Sequence, residues 1–554
     1  MTLKVRLSLV LMMLAMGLVI AMGKSAFLQL VRGPALTELS ERQHTRSKKY
    51  SSFRGNILDR DGRLLATSVA VDSIYAEPRK MNHPHQVTKL LKQQISLDPE
   101  QIEKIPSDRS FVWLQRRIDP NVAARIKALG LEGIGLSEEE QRFYPNHGLL
   151  GQTLGFITLD GQTLGGIEQV FERFLKPKSW DTLSFQDARG TNVRDFVAPS
   201  QEALLGDNIL LTIDRNIQSV AEEVLQRTVK AHNAKAGWAI VMKPKTGEIL
   251  ALANVPLMNP NRPSKRDIAA RRNNAIARSG EPGSTFKMVT FAAGFDLGLI
   301  KPDEKIYCEK GKWDLGYMTI RDVSAKEWLT PTEIFKYSSN IGTFKIAERI
   351  GPKRLHEAVK RFGYGELPGL NLLEEARGSV SKYENWHKTR FANVSFGYGI
   401  MASPLQMAVM VSSIANGGVK VAPSILKGIQ KGDGSLENPL PKAAPVRVIS
   451  EQAAKAMTEM MIADTVDGTG KRAAIPGILV AGKTGTAEKV GVNGRYDKTM
   501  NISSFAGFAP ADNPEIVCLV SIDEPKGIAY GGYVAAPAWR EIVEAALLQT
   551  RGAL

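Results

Sequence analysis

Cysteine is scarce in this 554-residue chain: Cys308 and Cys518 are the whole complement, which excludes a disulfide scaffold at this size. The apolar neighbours of Cys518 (Val517, Leu519 and Val520) suit a buried free thiol, with pairing to Cys308 in an oxidising compartment as the alternative. The seven histidines lack the close spacing to cysteine or carboxylate that zinc sites use, so neither a metal nor a cofactor is expected. No long Lys/Arg block and no nucleic-acid motif occurs. The net charge of +15 is therefore not read as a nucleic-acid footprint; it fits a solvated surface as well as attraction to anionic lipid or an acidic wall polymer. Internal repeats and low-complexity tracts are also absent. What remains is ordinary folded composition, 43% hydrophobic and 23% charged, over a length that suits two or three domains.

The N-terminus carries localisation information. Lys4 and Arg6 precede an apolar run from Leu7 to Gly23, broken only by Ser8 and closed by Lys24. A run of this length is at the short end of what spans a bilayer. The leading cations would stay cytoplasmic and place everything after Lys24 outside. Small residues at Ala21-Met-Gly23 offer the alternative of a cleaved signal peptide, but Ala26-Phe-Leu-Gln-Leu-Val31 continues the apolar character past the lysine. The reading is a tail over 1–6, a transmembrane anchor over 7–23 and a polar, basic juxtamembrane connector over 24–53.

Beyond the connector, Arg54 to Ala66 reads as strand, Asp-Gly turn and strand, and Val69 to Glu77 continues with β-type residues. From Met81 to Leu136 the pattern is mixed, with a helix-like stretch over Pro120 to Leu129. Residues 54–200 read as an elongated α+β module without a catalytic constellation of its own. A second domain is expected over 206–550. Asp214 is a plausible N-cap for a helix over 216–232, where Ile217, Val220, Val224 and Leu225 keep helical spacing. Gly237–Met242 and Glu248–Ala253 suggest a hairpin. Strands return at Ser503–Phe508 and Ile516–Ile522, and an amphipathic helix over Pro537–Leu548 closes the chain. Strands at both ends with helices between them point to one sheet built from N- and C-terminal parts, with helices around it.

Three short patterns carry chemistry. In Glu281-Pro-Gly-Ser-Thr-Phe-Lys287 the turn residues precede a helix-compatible run. Ser284 would open a helix, with Lys287 one turn on and on the same face. The helix N-terminus favours a developing oxyanion, and a lysine with a depressed pKa can take the serine proton. Ser-x-x-Lys is weak alone, since Ser379–Lys382 and Ser424–Lys427 repeat it without that context. Ser338-Ser-Asn340 places a hydroxyl and a carboxamide two residues apart, to relay a proton and hold a substrate amide; by itself such a triplet is more often cap chemistry. In Ala481-Gly-Lys-Thr-Gly-Thr-Ala487, Lys483 would supply positive potential, Thr486 a hydroxyl for a carboxylate, and the bare Gly485 room for a substrate backbone along a strand edge. Lys245-Thr-Gly247 repeats the tripeptide between two strands and is read as a hairpin turn.

The ordered set Ser284-x-x-Lys287, Ser338-x-Asn340 and Lys483-Thr-Gly-Thr486 resembles the penicillin-recognising serine acyltransferases. Arg54-Gly-Asn-Ile-Leu-Asp-Arg-Asp-Gly-Arg63, Gly165-Gly-Ile-Glu168, Ser395-Phe-Gly-Tyr-Gly399 with Pro404-Leu-Gln406, and Tyr530-Gly-Gly-Tyr-Val-Ala-Ala-Pro537 extend the likeness over nearly the whole chain. Together they resemble the class B penicillin-binding proteins, and the layout is most similar to the division-specific peptidoglycan D,D-transpeptidase type. The resemblance implies a transmembrane helix, an elongated α+β pedestal and a transpeptidase domain (α/β, a central antiparallel sheet ringed by helices). It also implies a bacterial inner-membrane, single-pass protein with its catalytic domain in the periplasm. Ser284 would attack the penultimate D-Ala of a stem peptide ending in D-Ala-D-Ala, with Lys287 as base, Ser338 as proton relay and Asn340 orienting substrate and Lys287. Lys483 would depress the pKa of Lys287 and attract the terminal carboxylate, which Thr484, Gly485 and Thr486 help to bind. Backbone N–H groups of Ser284 and Thr486 would form the oxyanion hole. β-Lactams, a membrane glycan polymerase of the shape, elongation, division and sporulation family, and divisome activators are the partners implied. An elongation-specific relative, a D,D-carboxypeptidase and a non-enzymatic sensor are the alternatives.

Overall fold

The computed structural model describes residues 3–35, 45–81, 87, 89–91, 109–186, 192–194, 202–263, 268–440, 443–491 and 493–552. The mixed pattern expected after Met81, and the end of the α+β module near 200, lie partly outside these residues. Contacts divide the chain into two compact units, residues 1–54 with 176–206 and residues 55–175 with 207–554.

In the smaller unit, helix α1 (Leu3–Leu30) is apolar along its length and exposed throughout. Its 28 residues span about 42 Å, long enough to cross a membrane. The sequence reading closes the span at Gly23. The helix instead runs on through Lys24, because Ser25 to Leu30 contains neither glycine nor proline and a single lysine can snorkel from a helix flank. The expected connector also needs correction. Its residues Thr45–Ser51 form a strand antiparallel to Ser179–Gln186, which pairs in turn with Asn192–Arg194. A partner more than a hundred residues away leaves no local trace in composition.

The larger unit contains β1 (Ile57–Leu58), β2 (Leu64–Ala76), β3 (Val112–Gln115), β4 (Ile134–Phe143), β5 (Asn208–Leu211), β6 (Ala236–Met242), β7 (Ile249–Val255), β8 (Leu426–Gln430), β9 (Leu436–Glu437), β10 (Ala481–Val490), β11 (Tyr496–Ala509) and β12 (Ile516–Asp523). Its principal helices are α2 (Pro120–Leu129), α3 (Arg215–Ala231), α4 (Lys287–Asp296), α5 (Pro331–Lys336), α6 (Asn340–Ile350), α7 (Glu451–Asp467) and α8 (Gly531–Thr550). Among the described residues β9-β8-β5-β1-β2-β3 form one sheet, with β4 also on β2. β1 and β2 are the hairpin read from Asp61-Gly62, and α2 has the bounds that the pattern indicates, capped by Asp119 and ended by left-handed Gly130. β5 runs parallel to β1, Ile209 opposite Ile57, so the strand expected to open the second domain is hydrogen-bonded to the first strand of the pedestal.

The second sheet has the order β7-β6-β12-β11-β10, every pairing antiparallel. It joins strands from both ends of the domain, as the spacing of apolar runs implies. Both faces are covered. On β6, Trp238, Ile240 and Met242 face the core shared with α4, whereas Ala239 and Val241 face the core shared with α3 and α8. Two buried faces explain why β6, β7 and β12 are apolar at nearly every position rather than alternating. Asp214 caps α3 by accepting from Asn216 N and Ile217 N. α8 begins six residues before the expected Pro537, which sits inside the helix. Gly531 and Gly532 provide the start, because nothing larger fits where that helix meets the sheet edge.

Candidate active site

Three segments distant in sequence meet at β10, the edge strand of the antiparallel sheet. The first is the turn that carries Ser284. Gly283 is left-handed (φ +56°) and opens a 3-10 turn, Gly283–Phe286, that runs directly into α4, whose first residue is Lys287. A three-residue turn places positions i and i+3 in line, so Ser284 and Lys287 share a face as the spacing implies. The segment Ser395–Gly399 cradles this turn. Gly283 N donates to Gly397 O (3.1 Å), Thr290 Oγ1 to Ser395 O (2.7 Å), and Gly399 N to the Glu281 carboxylate (2.7 Å). A Cβ on Gly397 would lie 2.0 Å from Gly283 O, so only glycine permits this approach.

The second segment is the loop between α5 and α6. Ser338 is left-handed (φ +57°), a conformation that costs a residue with a Cβ about 1–3 kcal/mol and persists only where its surroundings impose it. Here they do. Lys287 Nζ donates to Ser338 O (2.6 Å) and Asn340 Oδ1 (2.8 Å) and lies 3.0 Å from Ser338 Oγ. The intervening Ser339 caps α6 by accepting from Gly342 N (2.9 Å). Asp322 completes the cap, accepting from Asn340 N (2.6 Å), Ile341 N (3.1 Å) and the Ser339 hydroxyl.

The third segment is β10 itself, paired among the described residues on one side only, by β11. Lys483 is fully buried, its Nζ 3.4 Å from Asp464 Oδ1 and within hydrogen-bond distance of Thr469 Oγ1 (3.1 Å) and Thr484 Oγ1 (3.2 Å). The fold itself also requires Gly485 to be bare. A Cβ there would meet Thr285 Cγ2 at 2.8 Å, so the glycine lets the strand lie against the serine turn. The Thr486 hydroxyl accepts from Gly531 N (3.2 Å) at the start of α8. Gly531 and Gly532 permit that contact, since their Cβ atoms would fall 2.3 Å from Ser504 O and 2.2 Å from Thr469 O.

The structure thus joins Lys287, Ser338 and Asn340 by direct bonds, joins Lys483 to Thr484, and sets Gly485 against the turn bearing Ser284. Ser284 Oγ is not among the hydrogen-bond partners of Lys287 Nζ among the described residues. The look-alikes fall elsewhere: Lys245-Thr-Gly247 is the turn between β6 and β7, and Lys427 Nζ donates to Arg60 O (2.8 Å). Sequence reasoning missed Asp322, Asp464 and Thr469. Asp464 had a signal, an acidic residue on the face of α7 where Met457 and Met461 are buried. Asp322 had none, because its role depends on a loop folding back eighteen residues.

Both lysines sit in an environment hostile to charge. Burial pushes Lys287 well below the ordinary lysine range, and the positive charge of Lys483 pushes the same way; Asp322 and Asp464 pull it partly back. Lys483 is also lowered by burial but is supported by Asp464. A neutral amine at Lys287 beside a cation at Lys483 is the distribution this geometry favours, and a neutral amine is what a serine hydroxyl needs to lose its proton.

A buried lysine beside a serine-bearing helix start, a Ser-x-Asn loop and a Lys-Thr-Gly edge strand together define a penicillin-binding type of site. Comparison with known proteins narrows this. Residues 237–544 match the penicillin-binding protein transpeptidase domain, and residues 49–211 match the penicillin-binding protein dimerisation domain. The chain is 33% identical over 551 residues to the probable peptidoglycan D,D-transpeptidase PenA of Neisseria meningitidis, covering 98% of this chain and 92% of that one. It is 32% identical over 539 residues to the peptidoglycan D,D-transpeptidase FtsI of Escherichia coli (95% and 89%) and 31% identical over 553 residues to stage V sporulation protein D of Bacillus subtilis (97% and 84%). Among solved structures, penicillin-binding protein 3 of Mycobacterium tuberculosis in complex with aztreonam superposes with a TM-score of 0.71 at 28% identity, covering 92% of this chain and 98% of that one. The chain belongs to the class B penicillin-binding proteins and is a peptidoglycan D,D-transpeptidase.

Proposed function

We propose that Ser284 is the nucleophile of a two-step acyl transfer. Lys287 takes the Ser284 proton as Oγ attacks the carbonyl of the penultimate D-Ala. Ser338 hands its proton to the departing D-Ala amine and is reprotonated by Lys287; an amine from a neighbouring stem then attacks the ester carbonyl and loses a proton, which returns through Ser338 and Lys287 to the departing Ser284 Oγ. Asn340 orients the substrate and Lys287. Lys483, Thr484 and Thr486 receive the terminal carboxylate, and the N–H groups of Ser284 and Thr486 bind the oxyanion. The observation that carries this reading is the buried Lys287 amine, held by Ser338 and Asn340 and opposed by the charge of Lys483. β-Lactams acylate the same serine; the aztreonam and ampicillin complexes of the mycobacterial relative support this.

The reading places 206–550 as the catalytic domain and 54–200 as a pedestal, anchored by α1 in the bacterial inner membrane with the catalytic domain in the periplasm. The role proposed is septal cross-linking, beside a membrane glycan polymerase and under divisome activators, on the likeness of the pedestal and the shortness of the inserts. Incubating the full-length protein in detergent with a fluorescent penicillin tests the chemistry. Covalent label is expected on the wild type and lost in Ser284→Ala and Lys287→Ala; an unlabelled wild type overturns the reading. Complementation of conditional division and elongation mutants tests the role, with filaments or spheres as the readout.

A further inference from the structure

Asp464 is a carboxylate in an unusual place. It lies on the buried face of α7, wholly shielded from solvent, and Oδ1 faces Lys483 Nζ at 3.4 Å. The loop that ends α7 wraps it. Thr469 donates to Oδ1 from its hydroxyl (2.8 Å) and its backbone N–H (3.2 Å), and Gly468 N and Gly470 N both donate to Asp464 O (3.1 Å each). The loop can close this tightly because Gly468 and Gly470 are bare; a Cβ on Gly470 would come 2.6 Å from Oδ2. Oδ2 has no hydrogen-bond partner among the described residues. Among the described residues, Lys483 is the one charged group in direct contact with this carboxylate.

Its significance lies in the company Lys483 keeps. Two lysines are fully buried at this site, and the charged groups facing them are few: Asp322 beside Lys287, Asp464 beside Lys483, and each lysine to the other. A low-dielectric site does not hold two cations without compensation, so the pair shares its protons as one system. The partners of Lys287 are the neutral oxygens of Ser338 and Asn340, which serve an amine as well as an ammonium. Of the two, only Lys483 has a carboxylate in direct contact among the described residues.

We propose that Asp464 is a positioning residue that fixes the proton on Lys483, and so leaves Lys287 as the unprotonated partner of Ser284. This rests on Lys287 being the base. Without the carboxylate, the one proton the site still holds passes to Lys287, whose three oxygens stabilise it, and acylation then requires its removal. Asp464→Asn keeps the shape and removes the charge. Penicillin acylation rates measured from pH 5 to 10 are expected to show the acid limb displaced upward by about one pH unit or more, with a loss of about tenfold or more at neutral pH. An acid limb that stays in place or moves downward in Asp464→Asn overturns the proposal. Absence of any acylation in the wild type, or wild-type rates in Lys287→Ala, would instead remove the reading beneath it. Should Asp464→Asn not fold, the wild type decides the matter. With [ε-13C]lysine in the full chain, the signal missing from Lys287→Ala is expected at the neutral-amine position at pH 7. An ammonium shift for that signal, with Lys483 neutral, overturns the assignment.

Discussion

Gly485→Ala separates two explanations of the same residue. If the glycine exists to give a substrate backbone room along the strand, adding a methyl weakens substrate binding and leaves the fold alone. The structure gives another account. The new Cβ would stand 2.8 Å from Thr285 Cγ2 and 3.5 Å from Pro282 O. Carbon atoms rest at about 3.5–4.0 Å, so β10 and the serine turn must part by about 0.7 Å. Thr285 cannot swing aside freely: it is fully buried, and its hydroxyl donates to Pro282 O at 2.7 Å. Overpacking of this kind costs about 1–3 kcal/mol, and in a domain of this size each kcal/mol lowers the melting midpoint by about 2–4 °C. Catalysis suffers more, since misplacing reacting groups by about 1 Å costs roughly a hundredfold. The expected result is a fall of about 10- to 100-fold in penicillin acylation rate, with a loss of several degrees in Tm. Thr285→Ser removes the offending methyl and keeps the hydroxyl, so the double variant Gly485→Ala/Thr285→Ser should recover most of both losses, a coupling of about 1 kcal/mol or more. If Thr285→Ser rescues nothing, or Gly485→Ala acylates normally, the spacing between strand and serine turn is not what the glycine secures.

Two further outcomes follow from buried groups away from the reacting atoms. Arg142 and Glu168 form a buried pair at 2.7 Å, with Arg142 Nη1 also donating to Gly55 O (2.8 Å) and the Tyr144 hydroxyl reaching Glu168 (3.2 Å). Arg142→Ala removes the cation 2.7 Å from a fully buried carboxylate and is expected to cost about 3–5 kcal/mol in urea unfolding, part of it regained in Arg142→Ala/Glu168→Gln; a change under 1 kcal/mol would refute the expectation. Burial pushes the Cys308 thiol up to about 11 and Cys518 well above its ordinary value, and both are free. A thiol-disulfide reagent at pH 8 should therefore modify neither in the native protein and both in guanidinium; fast native modification of either would contradict the burial.

How much of this was legible in the sequence depends on how local each cause is. The cap at Asp214, the helix Pro120–Leu129 and the hairpin at Asp61-Gly62 are decided within a few residues, and the pattern reads them correctly. Ser284, Lys287, Ser338 and Lys483 stand out in the sequence because short spacings single them out, and the structure joins Lys287 to Ser338 and Asn340. Thr45–Ser51 reads as a connector because its strand partner lies at 179–186, and β5 reads as the start of a new domain although it pairs with Ile57–Leu58. Glycines were the hardest to interpret. The spaces beside Gly397, Gly485, Gly531 and Gly532 are filled by backbone or side chains from elsewhere in the fold, and a sequence shows only that a side chain is missing.

The left-handed Ser338 shows how the distant contacts and the short motifs combine. Its backbone turns so that both its carbonyl and its hydroxyl meet a single nitrogen, Lys287 Nζ, at 2.6 and 3.0 Å, while Asn340 Oδ1 supplies a third oxygen at 2.8 Å. As an ammonium, Lys287 has three donors for these three acceptors. As an amine it has two N–H groups, for Ser338 O and Asn340 Oδ1, and a lone pair that accepts from the Ser338 hydroxyl. No heavy atom has to move between the two states, only the hydroxyl proton. A base that gains and loses a proton without rearranging its surroundings avoids the reorganisation that water would impose, which is the advantage of a preorganised polar site. The strain at Ser338 is therefore coupled to the chemistry. It brings the Ser338 hydroxyl, the proposed proton relay, to Lys287, the proposed base, while the cap built by Ser339 and Asp322 braces the loop.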